Sequence, residues 1–118
     1  MYKRQRFIVP IPDHVDYTEA ATTEPLATSL HAYTLSDLKD GERVVIMGAG
    51  IIGLGVLQCI RAHRDAHVTV VDLSARRLAL ASELGADVIL NPLEVDILST
   101  VAPGSTADEG LLLSLIHI

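Results

Sequence analysis

Three glycines, Gly48, Gly50 and Gly53, break the apolar run "VVIMGAGIIGLGV" at residues 44–56. The β-branched residues before them read as a strand and the apolar residues after them as the opening of a helix. At such a turn G-x-G-x-x-G receives a pyrophosphate. Gly48 permits the tight turn, Gly50 lets the backbone come close to the phosphates, and Gly53 brings the helix against the sheet. The helix N-terminus adds free N–H groups and about half a positive charge. A tight turn alone would need the same glycines, but it would not explain Asp72. That carboxylate lies nineteen residues past Gly53, at the end of the next apolar run, "HVTVVD", where a ribose hydroxyl needs an acceptor.

Asp72 also bears on which dinucleotide binds. A carboxylate accepting from a ribose 2′-hydroxyl contributes roughly 1.5–3 kcal/mol, and against a 2′-phosphate it adds repulsion of about 1–4 kcal/mol. This favours NAD. Arg76 and Arg77 leave NADP open, because a nearby arginine accepts a 2′-phosphate; both also suit a solvated helix face.

These residues need elements to hold them. Arg43–Met47 is expected as a strand, with a helix to about His63 on the stripe Ile52, Val56, Cys59 and Ile60. "HVTVVD" is a second strand. "SARRLALASELGAD" reads as a helix with Ser74 as N-cap and Gly85 in the left-handed C′ position. "VIL" is a third strand, and "NPLEVDILSTV" is expected to start a further helix with Pro92 in its first turn. Gly55 costs roughly 1 kcal/mol against Ala in a helix, which points to packing. Strand, helix, strand, helix, strand in this order requires parallel pairing with right-handed crossovers. The fold class is therefore α/β, the first βαβαβ half of a Rossmann-like doubly wound parallel sheet.

Upstream, "FIVPIPDHVD" suits a short edge strand or an extended entry segment. Asp16 and Glu19 have capping-box spacing, and a break near Thr22–Glu24 precedes a second helix starting at Pro25. Glu24 and Thr28 stand at i and i+4 and share a face if that helix includes both. An acidic group favoured by a helix N-terminus is the plainer reading of Glu24. His31 falls on the same face at i+7, where a lone histidine is expected buried and hydrogen-bonded. His14, His63 and His67 have no spacing partners, and Cys59 on the apolar stripe reads as core. "APGSTADEG" has loop composition.

Composition bounds the function. In 118 residues, 49% hydrophobic and 20% charged is a globular balance for one domain or part of a larger one. A formal charge of −6 repels phosphate backbones and anionic lipid, so neither nucleic acid nor a membrane surface is an expected partner. No apolar run approaches the ~20 residues of a spanning helix. One cysteine cannot form an internal disulfide, which agrees with a cytoplasmic setting.

Three segments, "IPDHVDYTEAATTEPLATSLHA", "DGERVVIMGAGIIGLGVLQ" and "VVDLSARRLALASELGADVILNP", resemble in order and spacing the medium-chain dehydrogenase/reductase family, in its zinc-containing polyol and threonine dehydrogenase branch. The resemblance runs from about Phe7 to Gly110. It implies residues 7–40 as the end of a catalytic, GroES-like domain with a connecting helix, and 41–110 as the first half of an NAD-binding domain. It further implies a parent oxidoreductase, a homo-oligomer, that passes hydride from a secondary alcohol or polyol to NAD with zinc assistance. Gly48, Gly50, Ile51, Ile52 and Gly53 match the family's pyrophosphate loop, Asp72 its ribose carboxylate, and Arg77 a basic residue at the adenosine ribose. Glu24 matches a glutamate that binds zinc directly or through water, and Thr28 a residue against the nicotinamide.

Departures from the family matter as much. The cysteine and histidine zinc ligands and the structural-zinc cysteines have no counterpart here, and after Gly110 the chain has "LLLSLIHI" in place of the family's fourth strand. Residues 1–6 and 111–118 are expected to be foreign ends on a gene fragment, and the 118-residue chain alone is expected to be inactive. Pairing of "LLLSLIHI" with the first strand would be accidental. Two other functions stand beside the dehydrogenase: a stand-alone NAD-binding or regulatory module, and a zinc-free NAD(P)H-dependent reductase of the same superfamily.

Overall fold

The computed structural model describes residues 8–101 and 111–115. Along the chain these form helices α1 (Tyr17–Ala21) and α2 (Thr23–Leu35), strand β1 (Arg43–Met47), α3 (Ile51–His63), β2 (His67–Val71), α4 (Ala75–Glu83), β3 (Val88–Leu90), α5 (Ile97–Val101) and β4 (Leu111–Leu115). All strand pairs are parallel, in the order β3-β2-β1-β4. Arg43 is opposite His67 on one side and Leu111 on the other. Crossing from β3 back past β1 to β4 is the reversal of a doubly wound sheet, and it places a crevice at the carboxyl ends of the strands.

Alternation along the strands builds two cores. Val44 and Ile46 of β1 and Val68 and Val70 of β2 face α3 and α4, burying Ile52, Val56, Leu57, Ile60, Leu78 and Ala81. Val45, Val71 and Leu90 face the other way, with Val101 of α5. Both faces of β1 and β2 are covered, so Val44–Ile46 and Val70–Val71 run apolar without alternation.

Several local expectations hold. Asp16 Oδ1 accepts from the Glu19 N–H at 2.7 Å and Glu19 Oε2 from the Asp16 N–H at 3.0 Å, a reciprocal capping box. Ser74 caps α4, and Gly85 beyond its end has φ +98°. Others change. Of the two readings of the entry segment, the edge strand is not formed over Ile8–Pro12, since Pro10 and Pro12 have no N–H to give a ladder, and Ile8, Val9 and Ile11 are exposed; the reading as an entry segment stands. The second helix begins at Thr23, two residues before Pro25; within a first turn the missing N–H leaves no helical bond unmade. Pro92 stands in a turn and not in a helix. There the Asn91 side chain accepts from the Leu93 N–H at 3.1 Å, and its carbonyl accepts from Glu94 and Val95, so α5 starts only at Ile97.

Residues 111–115, expected as part of a foreign end, pair with all of β1. Residues 1–6 and 116–118 of the expected foreign ends, and the loop "APGSTADEG" at 102–110, lie outside the described residues. Among the described residues no helix is long and apolar enough to cross a membrane.

Candidate functional site

The glycine loop sits where β1 ends, and each glycine meets a different requirement. Gly48 has φ +103°, a left-handed conformation that an L side chain resists. A Cβ on Gly53 would stand 1.9 Å from the Gly48 carbonyl oxygen, so only glycine lets the first turn of α3 lie over the loop. A Cβ on Gly50 would meet nothing within 4 Å. Gly50 has ordinary extended dihedrals, so its missing side chain keeps open space in front of the helix N-terminus. The first-turn N–H groups of Ile51, Ile52 and Gly53 have no carbonyl to donate to inside the helix. A cradle of this kind fits a pyrophosphate.

Asp72 closes the site from β2. Its side chain is 10% exposed, with Oδ2 accepting from the Ala49 N–H at 2.8 Å and Oδ1 from the Ser74 N–H at 2.7 Å. Arg77, in the first turn of α4, holds Nη1 3.9 Å from Oδ2 and is mostly exposed. Two clefts meet here. One, about 340 Å³, is lined by Gly48, Gly50, Ile51, Ile52, Gly53, Asp72 and Arg77. The other, about 580 Å³, adds Met47, Val71, Leu73, Ser74 and Pro92 around the same Gly48, Asp72 and Arg77. Phosphate-binding groups thus adjoin an apolar recess across one carboxylate. The residues expected at the pyrophosphate and the adenosine ribose all lie on these walls, whereas Thr28, expected against the nicotinamide, lines neither cleft. Arg76 lies instead on a separate cleft along α4 with Ala79, Leu80 and Glu83.

Glu24 and Thr28 are brought together on α2. The Thr28 hydroxyl donates to the Glu24 carbonyl at 3.2 Å and lies 3.5 Å from Glu24 Oε1; both residues are exposed. Ser29, fully buried, shares its hydroxyl proton between the Pro25 carbonyl at 2.8 Å and the Ile52 carbonyl at 3.1 Å. A Cβ on Gly55 would fall 2.3 Å from Ser29 Oγ, which confirms packing as the role of that glycine. Further along, Tyr33 stacks on His63 at 5.4 Å. These contacts run in the same order on both helices, so α2 and α3 are parallel and Glu24 lies at the end of the pair that carries the glycine loop.

Glu24 has no set of companions for a metal: among the described residues no group of three His, Cys, Asp or Glu side chains is arranged to hold one. The residues described do not fit a zinc centre on their own. His31 is exposed, contrary to the burial expected of it. Cys59 is buried, and burial pushes its thiol pKa up.

Sequence reasoning missed several positions that shape and mount the site. Leu73, Met47 and Pro92 form the apolar recess beside Asp72; an exposed leucine directly after the carboxylate was the available signal. Ser29 had none, because a serine inside a helix reads as solvent-facing until its partner glycine is known. The Arg61–Asp87 pair, at 2.5 Å, ties α3 to the turn before β3. Burial tends to raise the Asp87 pKa, but the Val68 N–H and the Arg61 guanidinium outweigh it and hold the carboxyl below its usual range.

No family model matches the chain. It is similar to sorbitol dehydrogenase of Bos taurus, 44% identical over 84 residues, which cover 71% of this chain and 24% of that protein. Among solved structures, L-idonate 5-dehydrogenase from Escherichia coli superimposes with a TM-score of 0.67 at 37% identity, covering 75% of this chain and 26% of the other. A Sinorhizobium meliloti protein assigned as a zinc-binding dehydrogenase and bound to NADP gives 0.74 at 35%, covering 80% and 28%. The chain spans about a quarter of the length of the curated relatives it matches. The glycine loop, the carboxylate closing β2 and the strand order are thus found together with these likenesses, and the chain belongs to the medium-chain dehydrogenase/reductase family, among the zinc-type alcohol and polyol dehydrogenases.

Proposed function

We propose that this chain is the NAD-binding portion of a dehydrogenase that oxidises a secondary alcohol or polyol, with residues 7–40 belonging to its catalytic side and 41–110 to its nucleotide domain. The observation that carries the reading is Asp72, which stands at the junction of a glycine-loop cleft and an apolar recess. In this reading the first turn of α3, at Ile51, Ile52 and Gly53, binds the pyrophosphate, and Asp72 accepts from the adenosine ribose. Arg77 flanks that ribose, while Leu73, Met47 and Pro92 form an apolar wall for the adenine. NAD, when bound, supplies the ring that accepts hydride. Thr28 lies against the nicotinamide side. The sorbitol and idonate named in the relatives support a polyol or related hydroxy compound as substrate.

Zinc, named in several relatives, requires ligands beyond those described here, because a catalytic site normally takes three protein ligands. Glu24 is the one carboxylate this segment offers to such a centre in a longer protein. A homo-oligomeric, cytoplasmic parent fits the composition and the family.

One similar structure holds NADP, so the likeness leaves the cofactor choice to local chemistry. A carboxylate meets a 2′-hydroxyl as an acceptor and a 2′-phosphate as a like charge. Fluorescence titration of this chain is expected to show NADH binding at least about tenfold tighter than NADPH. Equal affinities would defeat the NAD reading.

A further inference from the structure

Both oxygens of the Asp72 carboxylate are hydrogen-bonded, and both bonds come from backbone N–H groups. Oδ2 accepts from Ala49, the middle residue of Gly48-Ala49-Gly50, and Oδ1 from Ser74 at the start of α4. Ala49 is 1% exposed, so its N–H has no water to turn to. Glycines flank it on both sides, and such a segment loses more conformational freedom on ordering than any other. One backbone bond ties it to β2, from the Gly48 N–H to the Val71 carbonyl at 2.7 Å. The Asp72–Ala49 bond is the second tie.

We infer that Asp72 is a positioning residue for the glycine loop, pinning Ala49 to the end of β2 and so holding the pyrophosphate cradle in shape. The inference rests on the NAD reading for its ligand but on this chain alone for its geometry. Each carboxylate oxygen has about two acceptor sites, so taking one backbone N–H leaves room for a ribose hydroxyl. The same side chain then serves both parts of the cofactor. A ribose-only role predicts that Asp72 matters just to ligands carrying ribose hydroxyls. A loop-forming role predicts that it matters to phosphate binding as well, and that changing it to admit a 2′-phosphate weakens the hold on the diphosphate.

The probe is 2′,3′-dideoxyadenosine 5′-diphosphate, which keeps the diphosphate and lacks both hydroxyls. Binding of this probe and of NADH is measured by calorimetry on the 118-residue chain and on Asp72→Ala, together with amide hydrogen exchange of the ligand-free proteins. We expect Asp72→Ala to weaken the dideoxy probe roughly tenfold, to speed exchange at Ala49 by a similar factor, and to leave the Val68 and Val70 amides unchanged. Asp72→Asn, which keeps one acceptor oxygen and so restores one of the two ties, is expected to fall between. It carries both measurements if the alanine variant loses its circular-dichroism signal. Equal probe affinity with unchanged Ala49 exchange would overturn the inference and leave Asp72 to the ribose. If the unmodified chain binds neither NADH nor the probe, the NAD reading falls, and Ala49 exchange alone decides the loop inference.

Discussion

The carboxyl edge of β1 and β2 and the first two turns of α2 both carry residues that the proposed function gives to one reaction, yet they are built on opposite terms. At the sheet edge each group is over-determined: Gly48 by its φ, Gly53 by a carbonyl, Asp72 by two backbone donors. At α2, Glu24 and Thr28 are exposed, and the Glu24 carboxylate is restrained toward Thr28 by no more than a 3.5 Å approach of the hydroxyl. What is well placed on α2 is Ser29, locked into the notch left by Gly55. A site preformed within one segment holds its geometry alone, whereas a site assembled between segments holds only its mounting.

Substitutions break or sharpen that contrast. Gly53→Ala drives a methyl into the Gly48 carbonyl, and no flexible side chain can yield; we expect a loss of about 3 kcal/mol or more in urea unfolding. A retained midpoint would show that the loop and α3 are not rigidly joined. Gly50→Ala has open space and ordinary dihedrals. It should leave stability nearly unchanged while weakening NADH roughly tenfold, because its methyl enters the space assigned to the phosphates. Unaltered NADH affinity would move the phosphates elsewhere. The smallest effect belongs to Glu24→Ala: within about 0.5 kcal/mol in stability, with NADH affinity unchanged in this chain. A large change in either would show that α2 contributes to the cofactor site directly.

Legibility in the sequence follows the same division. The strand–glycine–helix unit and Asp72 could be read because each requirement is local: a backbone angle, a close approach, a fixed offset. Pro92 was misplaced because the Asn91 side chain competes for the backbone that a helix would use. The Ser29–Gly55 contact and the Arg61–Asp87 pair join residues 26 apart in sequence, and no spacing rule reaches them. For Glu24 the chain supplies a position without its neighbours, so the sequence could name the residue only through family resemblance.

The central position of β1 also governs the order in which the molecule can be completed. Of the described strands β1 is made first, and its pairing with β2 closes over a single helical crossover. Its other edge waits for β4, and the Arg43–Leu111 closure spans most of the chain. Synthesis runs at about 5–20 residues per second, so one edge of β1 stays unpaired for seconds after the other is satisfied. Long-range parallel closure is slow for entropic reasons. Of the two central strands, the one that leads into the glycine loop is therefore the last to have both edges paired.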